Sequence, residues 1–202
     1  VIIGLTGTDT ALAAARVAAG NKRVFITSGA TSPLLPTDVP EYLFLACYGD
    51  NVQAAVAAEW AISELKAKTV AVLYKSDMTY TKLIRKYFEE VFKEKGGDVV
   101  FSQGYTADSL NDVAAGLPDA DLVYFAASPD DVIPGITAIR GTGYTGPIAS
   151  GDGFDIDGRQ CLLHHPCRCK CQQYEFTDDC LSQSLCQQIP GSGTKRLLGV
   201  SI

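Results

Sequence analysis

The stretch TVAVLYKSDMTYTKLIRKYFEEVFKEKGGDVVFSQ, residues 69–103, decides the fold. It opens on TVAVLY (69–74) and closes on DVVFSQ (98–103), two short runs rich in β-branched and aromatic side chains. Between them, from about Tyr80 to Lys95, Ile84, Phe88 and Val91 or Phe92 recur at helical spacing. Lysines gather in the last turn, where they complement the helix dipole, and Gly96 and Gly97 end the segment. Strand, amphipathic helix and strand in that order make a crossover unit, and parallel strands joined this way cross over right-handedly.

The same alternation extends in both directions. VIIGL (1–5), VFITSG (24–29), YLFLAC (42–47), LVYFAA (122–127) and PIASGD (147–152) are further strand candidates. Asp9 is placed to cap a helix through ALAAARVAA that ends at Gly20. Asp50 or Asn51 opens another, in which Val52, Ala55, Val56, Ile62 and Leu65 form a stripe expected to pack on a sheet. A fourth helix covers Ser109 to Leu117. A fifth begins at Pro129, carries Pro134 as a residue of its opening turn, and presents Val132, Ile133, Ile136 and Ile139. The expected class is therefore α/β, with Rossmann-like parallel sheets and helices on both faces.

Composition narrows the function. With 47% hydrophobic and 20% charged residues in 202, the chain can bury a core. A net charge of −6 without a basic cluster disfavours nucleic acid and acidic membrane surfaces as partners. No apolar run of spanning length occurs, and the N-terminus has no export-signal pattern. The chain starts at Val1 and its one methionine is Met78, so it is read as a piece of a longer protein.

Ligands of open parallel sheets sit at the carboxyl ends of the strands. Four turns occupy such ends: TGTDT (6–10), SGATS (28–32), KSDMTY (75–80) and SGDGFD (150–155). Each is rich in glycine, hydroxyl or carboxylate, which suits a small polar ligand. No GxxxxGK[ST] or GxGxxG follows a strand, so a phosphate cradle is not indicated.

VIIG with its hydroxyl-rich turn and alanine-rich helix, then ITSGATSP, then AVLYKSDMTYTK, then GYTGPIASGDGFD resemble, in order and spacing, the type I periplasmic binding proteins, in the branched-chain amino-acid branch of ABC importers. The likeness runs from Val1 to Asp155. It implies a two-lobed clamp that closes on a zwitterion, has no enzymatic activity, cofactor or metal, works with a membrane permease and is periplasmic or extracellular, free or lipid-anchored. By position, Thr8 and Thr31 match the hydroxyls that take the ligand carboxylate, with the backbone of Gly29 and Ala30 beside them. Tyr80 is similar to the aromatic residue brought over the ligand, and Asp152 to the acid that receives its ammonium. Two positions depart from the pattern: Ser128 stands where an aromatic often lines the site, and Asp9 sets a negative charge beside the carboxylate pocket. The division implied is 1–48 as a remnant of lobe one, 49–155 as lobe two, and 156–202 as an irregular tail.

Plainer readings stand beside these. Thr8 and Asp9 also read as a helix cap, Tyr80 as a cover for the core, Asp152 and Gly153 as an ordinary turn, Cys47 as a small buried hydrophobe and Trp60 as packing. The same fold also serves as a ligand-sensing domain of receptors and regulators. A Rossmann-like enzyme lacks support, because the only histidines, His164 and His165, lie in the tail. That tail holds six of the seven cysteines, including the run CLLHHPCRCKC (161–171). Its spacing is unusual for structural zinc, and six cysteines allow fifteen disulfide pairings. Out-of-frame translation fits it better. Shifted by one nucleotide, the codons allowed for QCLLHHPC (160–167) can read NVYYTTHA, which resembles the family's continuation.

Overall fold

The computed structural model describes residues 1–154, and every expectation for the cysteine-rich tail lies outside the described residues. Two parallel sheets form. In the first, β1 (Ile2–Ile3), β2 (Phe25–Thr27) and β3 (Leu43–Leu45) lie in sequence order, linked by α1 (Thr8–Gly20) and the short α2 (Leu35–Asp38). Right-handed crossovers that step in one direction put both helices on one face. Ala11, Ala15 and Ala18 of α1 accordingly pack with Phe25, Leu35, Val39 and Leu43. The other face, carrying Ile3 and Phe44, is exposed, Phe44 at 50%. Among the described residues, the helices expected on both faces cover one face of this sheet.

The second sheet meets that expectation. Its order is β5 (Asp98–Tyr105), β4 (Thr69–Lys75), β6 (Leu122–Ala126), β7 (Ile148–Ala149), all parallel. The connection from β4 to β5 steps one way and those from β5 to β6 and β6 to β7 step the other, so helices fall on opposite faces. On one face, α3 (Asp50–Ser63) and α4 (Thr79–Glu94) cover Val70, Val72, Leu122 and Tyr124, with Phe88 stacked on Tyr124 at 3.8 Å between ring centroids. On the other, α5 (Leu110–Ala115) and α6 (Pro129–Gly141) cover Ala71, Leu73, Val123 and Phe125. Strands buried on both sides read as continuous apolar runs, which is why this sheet is plain in the sequence.

Three local expectations are corrected. Helix α1 is capped by Gly7, and Asp9 sits inside its first turn. The packed face of α3 is Ala54, Ala57, Ala58 and Ala61, whereas Val52 and Val56 are exposed, Val56 at 56%. Small side chains let α3 lie close against α4, so the bulkier valines turn outward. Pro134 lies in the second turn of α6, not the opening one, on the exposed side. It has no amide hydrogen to offer the Asp130 carbonyl, a cost confined to the solvated face of the helix. Gly135 beside it is needed for packing: a Cβ there would fall 2.1 Å from the Phe125 ring. Cys47 is half-buried and free, with its thiol 3.6 Å from the Ala30 carbonyl.

Candidate functional site

Among the described residues the chain passes from the first sheet to the second once, through residues 46–49, and α3 begins at Asp50. The Asp50 amide donates to the Thr31 carbonyl at 2.8 Å, which ties the start of α3 to the loop after β2. A second bridge joins the first turns of α1 and α4, where the Thr79 hydroxyl donates to Asp9 Oδ1 at 2.7 Å. The carboxyl ends of both sheets thereby face a common region. In the second sheet the connections diverge between β4 and β6, so the crevice opens at Lys75 and beyond Ala126.

At one side of that crevice Tyr80 and Asp152 are bonded directly. The Tyr80 hydroxyl donates to Asp152 Oδ1 at 2.6 Å and accepts the Gly153 amide at 3.2 Å. Gln53 of α3 completes the knot, with Nε2 donating to Asp152 Oδ2 and Oε1 accepting the Asp152 amide, each at 3.3 Å. The turn Asp152–Phe154 is thus pinned to α3 and α4 at once. Only glycine fits at 153, because a Cβ would sit 2.3 Å from the Ala127 carbonyl oxygen. Burial first, then the Asp152 charge, pushes the Tyr80 hydroxyl pKa far up, so it remains a donor.

Asp50 lies beside this knot. It is 0% exposed, and neither carboxylate oxygen has a hydrogen-bond partner in bonding geometry. Burial pushes its pKa up to about 6, Thr31 opposes that by lying near enough to favour the anion, and the Asp152 charge adds to it. The Tyr124 hydroxyl is also buried and unpaired, its pKa raised by burial and then by Asp152 and Asp50. The thiol of Cys47 is raised by burial and by the same two acids. Buried polar groups are nearly always paired, so two orphans within reach of one acidic pair call for an explanation. A cation with several N–H donors supplies one. Among the described residues no His, Cys, Asp and Glu cluster fits a metal ion.

The residues expected on the opposite bank are less uniform. Thr8, the first residue of α1, and Thr31 are 6% and 4% exposed, close to Asp9 and Asp50 respectively. The amides of Gly29 and Ala30 are turned inward: both donate to Thr27 Oγ1, at 3.3 and 2.8 Å, while that hydroxyl donates to the Leu5 carbonyl. Ser128 is buried and donates to Asp131 Oδ2 at 2.8 Å. Asp9, expected beside the carboxylate pocket, accepts the Thr79 hydroxyl across the two sheets. Sequence reasoning passed over Asp50 and Gln53. The signal available was their position, directly after the carboxyl end of β3.

Known proteins bear on this geometry. A leucine binding protein, LivK, from Thermotoga maritima is 27% identical, with a TM-score of 0.71 over 82% of this chain and 47% of that one. LivJ from Streptococcus pneumoniae, solved in complex with isoleucine, is 25% identical with a TM-score of 0.66, covering 75% of this chain and 44% of its own. An amino acid binding protein of Pseudomonas aeruginosa is 28% identical over 138 residues, 66% of this chain and 37% of that protein. The chain therefore spans less than half the length of these relatives. The family profile described as periplasmic binding protein matches residues 1–161, most of the 202, and the chain belongs to that family.

Proposed function

We propose that the chain is the solute-binding component of an amino-acid ABC importer and takes a small zwitterion between two lobes, residues 1–48 on one side and 49–155 on the other. The single observation that carries this reading is the buried, unpartnered Asp50 carboxylate next to the Tyr80–Asp152 pair. An ammonium entering that well would give up water and meet two acids and the Tyr124 hydroxyl, which offsets its desolvation. The ligand carboxylate would then face Thr8 and Thr31, near the amino end of α1, where the helix dipole favours negative charge. The amides of Gly29 and Ala30 would hold the shape of the Thr31 loop through Thr27, with no direct bond to the ligand. Hydrogen bonds to charged groups contribute roughly 1.5–3 kcal/mol each, so four or five reach the ~8 kcal/mol of micromolar binding.

A binding role without catalysis follows from the family, and the partner implied is a membrane permease at the outer side of the cell membrane. The periplasm or the extracellular face, with or without a lipid anchor, is the place proposed for it. Calorimetric titration of the protein with single L-amino acids tests the reading. Binding of at least one is expected, and Asp152→Ala should weaken it at least tenfold, about 1.4 kcal/mol. An unchanged affinity would remove Asp152 from the site.

A further inference from the structure

Lys75 and Ser128 stand at the carboxyl ends of the neighbouring strands β4 and β6, at the point where the chain connections diverge. Ser128 follows Ala127, whose carbonyl oxygen lies against Gly153, and the Lys75 carbonyl accepts the hydroxyl of Thr81, the residue after Tyr80, so both stand next to elements of the Tyr80–Asp152 knot. We propose that Lys75, Ser128 and Asp131 form the pocket for the ligand's side chain and select a neutral hydroxyl or carboxamide over an aliphatic group of equal size. This rests on the amino-acid reading above and adds the substrate class.

The hydrogen-bond pattern argues for it. Bonds to the Asp131 carboxylate converge on Oδ2: Lys75 Nζ at 2.8 Å, Ser128 Oγ at 2.8 Å and Tyr105 OH at 3.3 Å. Lys75 Nζ also reaches Ser128 Oγ at 3.4 Å. Among the described residues the third N–H of the Lys75 ammonium and Asp131 Oδ1 have no partner. One donor and one acceptor of this ion pair thus remain available, and a hydroxyl or carboxamide answers both. An aliphatic side chain would cover them unpaired. Leaving such groups unsatisfied is a strong source of discrimination. An anionic side chain is disfavoured because Asp77, Asp130 and Asp131 surround Lys75, and a cationic one because Lys75 already holds Asp131.

Isosteric pairs test this. Titrating the protein with L-asparagine against L-leucine, and L-threonine against L-valine, should show the polar member binding at least tenfold more tightly in each pair. The double variant Lys75→Met, Asp131→Leu, checked by its melting curve, should lose or reverse the preference. Ser128→Ala, which removes neither member of the Lys75–Asp131 ion pair and is checked by the same melting curve, should reduce it. Leucine binding as tightly as asparagine overturns the pocket while leaving the amino-acid reading intact. If none of the four binds, the pocket proposal falls, while the amino-acid reading stands or falls on the titrations with the remaining amino acids.

Discussion

Replacing Asp50 with asparagine separates the energetic role of the acidic well from its shape. In the folded, unliganded chain the Asp50 pKa stands at about 6 against an ordinary 3.8, because burial opposes its charge. The folded state therefore holds the proton more tightly than the unfolded state does. The stability this gives is fully present below about pH 4 and is lost as pH rises through about 6. At 1.36 kcal/mol per pH unit, the displacement corresponds to ~3 kcal/mol lost by neutral pH. The carboxamide that replaces the acid cannot titrate, so Asp50→Asn should gain on the parent by roughly that amount between pH 4 and pH 7. In a domain of this size each kcal/mol moves the melting midpoint by about 2–4 °C. Melting curves of both proteins at pH 4, 5, 6 and 7 read the difference directly. With saturating amino acid the order should narrow, because an ammonium pairs with the parent's carboxylate and lowers its pKa. A gap between the two proteins that stays constant from pH 4 to pH 7 would refute the reasoning.

Four further substitutions follow from the same structure. Tyr80→Phe removes the bond to Asp152 and strands the Gly153 amide, and should cost about 1–3 kcal/mol in urea unfolding as well as weaken binding. Gly153→Ala drives a Cβ into the Ala127 carbonyl, and a loss of roughly 1–3 kcal/mol is expected; an unaltered midpoint would show that the turn can shift. On α3, Ala58→Leu should destabilise by about 1–3 kcal/mol through overpacking, while Val56→Asp on the exposed side should stay within about 0.5 kcal/mol; equal effects would contradict the alanine-faced packing.

Strands β4 and β6 were plain in the sequence because parallel strands buried on both faces leave unbroken apolar runs, and each of the seven short apolar runs carries a strand in the structure. Helix α4 was equally plain, since Ile84, Phe88 and Phe92 are large and periodic. Helix α3 was misread for the converse reason: alanine is compatible with any face, and the eye follows the valines. Helix α2 has four residues, too few for a period to show. In the site, Tyr80 and Asp152 stood out through a family likeness. Asp50 did not, because an acid at a helix start is ordinary until its burial is known. The inward turn of the Gly29 and Ala30 amides depends on the Thr27 side chain, and pattern reading has no access to a rotamer.

The one passage between the sheets among the described residues ends at Asp50, whose amide is anchored to the Thr31 carbonyl. In a rotation of one sheet about that passage, atoms near Asp50 travel least. The electrostatic grip on an ammonium would then be in place before the mouth shuts. Capture and enclosure would be sequential events, with charge neutralisation governing the first and the span of the jaws governing the second.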